Sequence, residues 1–320
     1  MTAIILEVVD LKKHFFEKKG WFRKAQVIKA VDGVSLNLAE NEICGIVGES
    51  GCGKTTLGKV ILNLYPATSG KIFYKKQNTG NRKGFSIPRK HAQMIFQDPF
   101  SSLNPIQSIE RILEVPLKTH ENYPKADRKD RIRQSLEEVG VNPNFRSRYP
   151  HEFSGGQRQR IGIARALILN PEIIIADEPV SKLDVSIQAQ ILNLMMDLQE
   201  EHRFSMLLIS HDLKVIKHIC HRVLVMYMGE IIESVDKEII FENPLHPYTQ
   251  ALIAAIPQLF SGKRIQHKKI TEGEPPSLYE LPSGCRFHPR CDRRMDICSQ
   301  KKPEFQAVSE KHEVRCHLYD

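Results

Sequence analysis

An α/β fold, a parallel sheet covered by helices, is the class the sequence predicts, and three observations carry the prediction. Residues 43–47 (Ile-Cys-Gly-Ile-Val) form a short apolar run that ends in glycines, the way a buried parallel strand meets a phosphate-binding loop. Residues 173–176 and 205–209 are two further apolar runs of strand length. Between those two, Ile187, Ile191, Leu194, Met195 and Leu198 fall on one face of a helical stretch. Strand, helix and strand in that order require a crossover and hence a parallel sheet.

The remaining elements can be taken in order. Residues 4–9 and 33–38 read as strands, the second by its alternation. A basic, aromatic-tipped insertion at 18–24 separates them. Residues 57–64, opened by Thr56, read as a helix, and residues 106–170 as an inserted helical subdomain with a charged middle at 125–133. The periodicity fades after Pro257 into a polar, basic linker at 262–269, and then into a proline- and cysteine-bearing tail. The expected division is therefore 1–256 and 257–320.

Composition narrows the class. The 320 residues are 41% hydrophobic and 26% charged, which excludes a disordered or collagen-like chain. No apolar run approaches the roughly 18–20 residues that span a bilayer, and the start carries Glu7 and Asp10 instead of a secretory pattern. The expectation is a soluble intracellular protein. A net charge of +8 suits nucleic acid, an anionic membrane surface, a polyphosphate ligand or simple solubility. Seven cysteines are too few for a disulfide scaffold.

Gly48-Glu49-Ser50-Gly51-Cys52-Gly53-Lys54-Thr55, continued by Thr56, matches G-x-x-x-x-G-K-[ST] directly after the 43–47 strand. Glycines let backbone N–H groups turn inward around phosphates; Lys54 can reach the β and γ phosphates, and the Thr55 hydroxyl can ligate Mg²⁺. Cys52 is expected to be a small filler. The 173–176 strand runs into Asp177 and Glu178 at its carboxyl edge, where parallel sheets bind ligands. Asp177 is placed to hold Mg²⁺ and Glu178 to polarise an attacking water.

Phe153-Ser154-Gly155-Gly156-Gln157-Arg158-Gln159-Arg160, whose Ser154 and glycines precede a helix expected at 157–169, resembles the signature of ATP-binding cassette (ABC) ATPases, with Phe in place of the usual Leu. The resemblance implies an ABC ATPase core with an antiparallel β subdomain, the helical subdomain and a small cysteine-rich extension. It implies a head-to-tail dimer in which this second helix start grips the γ-phosphate of ATP held by the opposite subunit. Gln97 resembles the Q-loop residue that touches Mg²⁺ and attacking water. His211 resembles the switch histidine at the γ-phosphate, and Phe15, beside Phe16, the aromatic that stacks on adenine. Asp184 resembles the D-loop residue that reaches across the dimer, but Lys182 stands where the family usually has Ala, which unsettles symmetric hydrolysis at the two sites.

The stretches 101–105, 148–152 and 243–249 are similar to the ATPases of oligopeptide and dipeptide importers, in particular their second, F-type subunit. That resemblance implies an ATPase at the cytoplasmic face of the inner membrane. It would pair with a homologous ATPase and two transmembrane permease subunits, and with an extracytoplasmic solute-binding protein indirectly. The alternatives are an importer ATPase for another solute (nickel, glutathione), a soluble cassette protein acting on ribosome or nucleic acid, and an iron–sulfur regulatory protein.

Cys285, Cys291, Cys298 and Cys316 form a tail too short and polar for its own apolar core, so a metal centre is expected to hold it. Gaps of five and six residues suit zinc knuckles poorly, whereas a [4Fe–4S] cluster takes four cysteines at irregular spacing. The tail also resembles the iron–sulfur tail of peptide-importer ATPases. Zinc, free thiols or disulfides remain alternatives. Arg286, Arg290, Arg293 and Arg294 are expected to offset thiolate charge, His288, His312 and His317 to be solvated, and Cys44 and Cys220 to be core residues.

Overall fold

The computed structural model describes residues 3–17, 26–78, 87–120, 124–256 and 277–320. The expected 18–24 insertion and 262–269 linker lie outside them. Two long strands, β1 (Ile4–Glu17) and β2 (Gln26–Ala39), precede the short β3 (Ile43–Val47), every residue of which is buried. The phosphate-type sequence leads from β3 into α1 (Lys54–Ile61), then β4 (Ser69–Tyr74), β5 (Gln77–Asn78) and β6 (Ala92–Ile95). The helical stretch comprises α2 (Pro99–Ser102), α3 (Ile109–His120), α4 (Lys125–Glu138) and α5 (Gly155–Leu167), with no strand among its described residues. Alternation resumes with β7 (Ile173–Asp177), α6 (Val185–His202), β8 (Ser205–Ser210), α7 (Leu213–Ile219), β9 (Arg222–Tyr227) and β10 (Glu230–Asp236). After α8 (Lys237–Glu242) and α9 (Pro247–Ala254), the tail forms α10 (Ile297–Gln300), β11 (Gln306–Ser309) and β12 (His312–Val314).

These elements divide into two compact units, one of Met1–Leu6, Leu38–Ile43 and Tyr74–Ile209, the other of Glu7–Asn37, Cys44–Phe73 and Ser210–Asp320. In the first unit β6, β7 and β8 run parallel, with Ala92 opposite Ile173 and Ile173 opposite Ser205. Strands buried on both faces read as continuous β-branched runs, and Ile173, Ile174, Ile175 and Ala176 have no exposed surface. The helix between them buries Ile191, Leu192, Met195 and Leu198, while Ile187 and Leu194 lie half-buried at the rim of that face. In the helical subdomain the Arg131 guanidinium joins α4 to the end of α5, donating to the Ile168 carbonyl (3.2 Å) and the Asn170 side chain (2.7 Å).

In the second unit β1 lies between β2 and β4, and a five-stranded set runs in the order β11-β12-β10-β9-β3. β3 is parallel to β9, with Cys44 opposite Arg222; β10 is antiparallel to both β9 and β12. The tail therefore gains order without a core of its own: β12 extends the sheet, and Val314 and Cys316 pack on Leu245 and Tyr319. Among the described residues no helix is long and apolar enough to cross a membrane.

Candidate functional site

In the second unit the loop between β3 and α1 turns on two glycines in conformations that exclude a side chain. Gly48 and Gly53 have φ of +157° and +109°. A Cβ at Gly48 would meet the Met226 carbonyl oxygen at 2.1 Å and one at Gly53 the Ala30 carbonyl oxygen at 2.0 Å, so neither position admits a side chain. The helix starts at Lys54, earlier than the apolar pattern implied, with Gly53 as its N-cap and no side-chain cap. Lys54 is buried, and its ammonium donates to the carbonyls of Gly48 (2.7 Å) and Glu49 (2.9 Å) and lies 3.7 Å from the Cys52 sulfur. Burial pushes the Cys52 thiol up, in keeping with a filler.

Glu49 is held from outside the loop. Its N–H donates to the Tyr248 hydroxyl (2.8 Å), and both terminal nitrogens of Arg290 donate to its carboxylate at 3.0 Å. Phe15, at the end of β1, is half-buried and makes an edge contact with Tyr65 (centroids 5.7 Å apart), whereas Phe16 projects outward. His211 is exposed at the end of β8, just before α7, whose N-cap Asp212 accepts from the Lys214 N–H at 2.8 Å.

In the first unit Asp177 is buried at the end of β7. Glu178 comes next with φ +45°, a left-handed conformation that a non-glycine residue holds only when its surroundings impose it. They do: its N–H donates to the Ile209 carbonyl (2.9 Å), and the Gln97 amide donates to its carboxylate (2.7 Å). Gln97 and Glu178, predicted separately, thus come together.

Ser154 caps α5 in a reciprocal pair, its hydroxyl accepting from the Gln157 N–H (3.3 Å) and its own N–H donating to the Gln157 side chain (3.1 Å). Gly156 lets the helix approach α6, since a Cβ there would come 2.7 Å from Ile187, and the Gly155 position would meet Leu183 at 3.5 Å. Phe153 is buried against Phe145, so this side chain serves packing. Asp184 occupies the N-cap position of α6 without a side-chain cap bond. Lys182 pairs with Asp98 of its own chain at 3.4 Å.

The four tail cysteines are thiols, none in a disulfide. The Cys285 N–H donates to the Cys298 carbonyl (2.8 Å), which sets those two turns side by side. Burial, with the nearby Cys316, Cys298 and Cys291, pushes the Cys285 thiol up to about 12, and burial pushes Cys316 to about 11. Among the described residues no three His, Cys, Asp or Glu side chains converge tightly enough to hold a metal ion. Two expectations need correction. Arg286 pairs with Asp32 and Glu230, and Arg290 with Glu49, so these two arginines answer carboxylates, not thiolates. His312 is buried 2.7 Å from Glu233, and His317 is buried and bonded to the Lys301 carbonyl, so neither is solvated. Cys44 and Cys220 are fully buried, as expected.

The pattern described as ABC transporter matches residues 31–181, and that described as oligopeptide/dipeptide transporter, C-terminal region, matches 232–298. The chain is 51% identical over 98% of its length, and 97% of the relative's, to the oligopeptide transport ATP-binding protein AppF of Bacillus subtilis. It is 48% identical to the oligopeptide transport ATP-binding protein OppF of Salmonella typhimurium, over 99% and 97% of the two chains. It is 45% identical to the dipeptide transport ATP-binding protein DppF of Haemophilus influenzae, over 99% and 97%. Among solved structures, a dimeric ATP-binding cassette in a post-hydrolysis state with ADP and Pi bound superimposes with a TM-score of 0.63 at 27% identity, covering 72% of this chain and 98% of that one.

Proposed function

Because this chain belongs to the ABC transporter family, among the ATP-binding proteins of oligopeptide and dipeptide transport, we infer that its ATP hydrolysis energises import of peptides across the cytoplasmic membrane. The observation that carries the reading is that the match continues past the last nucleotide motif, through residues 232–298. We assign 1–256 to nucleotide binding, with the inserted helices at about 106–170, and 257–320 to a C-terminal extension.

Within this reading the loop N–H groups and Lys54 hold the phosphates, and Phe15 stacks on adenine. Glu178 accepts the proton of the attacking water, Gln97 orients that water, and His211 donates to the γ-phosphate. The bond between Gln97 and Glu178 and the imposed backbone of Glu178 support those two roles. Ser154, Gly155, Gly156, Gln157 and Asp184 would complete the nucleotide site of a homologous partner ATPase. Thr55, Gln97 and Asp177 carry the hard oxygen donors that suit Mg²⁺, which when bound neutralises phosphate charge. Phe100 and Ile106, large apolar side chains left exposed, support docking on membrane permease subunits, to which an extracytoplasmic binding protein delivers the solute.

We further propose that Cys285, Cys291, Cys298 and Cys316 hold a [4Fe–4S] cluster, with zinc as the competing occupant. Four free thiols on one folded tail are a soft donor set that suits either. Iron, sulfide and zinc assays on anaerobically purified protein decide between them: about four irons and four sulfides per chain support the cluster, and stoichiometric zinc overturns it.

Glu178→Gln tests the catalytic assignment. It is expected to bind ATP normally while turnover falls about 10²–10⁴-fold; wild-type hydrolysis by that variant removes Glu178 from the mechanism. Reconstitution with the permease subunits tests the cargo, since ATPase stimulation by nickel or glutathione but not by peptides would redirect the assignment.

A further inference from the structure

Beyond the nucleotide motifs, we propose that Tyr248 and Arg290 are positioning residues of the ATP site, clamping Glu49 so that the C-terminal region sets the shape and charge of the phosphate loop. This rests on the assignment of that loop to ATP.

Residue 49 is gripped at each of its polar groups. Tyr248 takes its N–H, Arg290 its carboxylate through two parallel bonds, and Lys54 its carbonyl. Lys54 is the side chain that must meet the phosphates, so a displacement of residue 49 displaces the lysine as well. Charge acts in the same direction. A carboxylate between Gly48 and Ser50 places a negative charge in a loop whose N–H groups have to receive a polyphosphate. The two-pronged guanidinium cancels that charge and fixes its direction.

The clamp is rigid because its own supports are buried. Tyr248 is fully enclosed, with ring centroids 4.6 Å from Tyr227 and 5.5 Å from Phe287. Phe287, also enclosed, sits three residues before Arg290 and fixes the turn that carries it. The Arg290 guanidinium also reaches the Tyr227 hydroxyl at 3.4 Å. Side-chain exposure is 10% for Arg290 and 27% for Glu49, low enough that solvent screens the pair only partly. Tyr248 and Arg290 lie in the C-terminal region, 199 and 241 positions from the residue they hold.

The test uses the full-length chain for binding of a non-hydrolysable ATP analogue and the assembled transporter for kinetics. Arg290→Ala is expected to weaken analogue binding about tenfold and raise KM for ATP similarly, with kcat changed less than about twofold. Arg290→Lys should recover part of the loss, because it restores the charge without the fork. The double variant Glu49→Gln with Arg290→Ala should bind better than Arg290→Ala alone, since the uncompensated charge is gone. Tyr248→Phe keeps the buried ring and removes only the hydroxyl; about a threefold loss of affinity is expected. A purely structural role would lower the unfolding midpoint of these variants yet leave analogue affinity and KM at wild-type values, with Glu49 and Arg290 effects additive. That result overturns the clamp. Wild-type protein that fails to bind the analogue would instead overturn the ATP reading, and the clamp with it.

Discussion

The two helix starts proposed to receive phosphate are stabilised in opposite ways. At α5, in the first unit, Ser154 and Gln157 satisfy each other across four residues. At α1, in the second unit, the cap is a glycine in a left-handed conformation with no side chain to offer, and the loop before it is shaped by Met226, Ala30, Tyr248 and Arg290. A self-capped start is stable alone and can exchange its cap for a phosphate brought by another molecule. A start without a side-chain cap is braced from elsewhere instead, the Glu49 N–H held by Tyr248 and its carboxylate by Arg290.

The largest test of this contrast is a pair of alanines. Gly53→Ala forces a Cβ to 2.0 Å from a carbonyl at positive φ and is expected to cost about 2 kcal/mol or more and abolish nucleotide binding. Gly155→Ala meets only an ordinary contact and should stay within about 1 kcal/mol in urea unfolding. Equal losses would erase the distinction.

A pH series probes the distant support. Burial holds His246 neutral, its pKa lowered to about 4, while its Nδ1 accepts from the Tyr248 N–H. The unfolded chain binds the proton at about 6.5. Stability from this group is therefore fully present above that value and drains as pH falls toward 4, at up to about 1.4 kcal/mol per unit. A flat urea midpoint between pH 6.5 and 4 would contradict it.

Ser154 gives a smaller, sharper measurement. Ser154→Ala should cost about 1 kcal/mol, whereas Ser154→Asp keeps a good cap and puts a negative charge at the proposed phosphate position. Retained stability with lost ATPase activity in the Asp variant would separate capping from anion binding. Smallest of all, Lys182→Ala removes an ion pair whose side chains are 52% and 31% exposed, and should change stability by less than about 0.5 kcal/mol.

Local chemistry made the two helix starts legible from residue order alone. A glycine loop after an apolar strand, or Ser-Gly-Gly-Gln before a helix, is complete within eight residues, and only the start positions, Lys54 and Gly155, fell earlier than the apolar pattern suggested. The strands β9 and β10 escaped notice because they form a local antiparallel hairpin, Tyr227 opposite Glu230, whose near-continuous burial removes the alternation that marks a strand. The strand β6 is defined instead by pairing with the remote β7. For the same reason Arg290 read as a neighbour of thiols and His312 as a solvated side chain. Nothing along the chain announces that their partners are Glu49 and Glu233. The tail is the extreme case: poor in apolar residues, it folds by lending backbone to a sheet built elsewhere.

That loan has a practical consequence for anyone shortening the protein. β12 covers the outer rung of β10, from Glu233 opposite Val314 to Val235 opposite His312. A chain cut before Gln306 would leave the backbone edge of Glu233, Ser234 and Val235 unpaired, a template for the same edge in the next molecule. Trimming the polar end to obtain a tidier nucleotide-binding fragment should therefore yield filaments or precipitate sooner than a well-behaved domain.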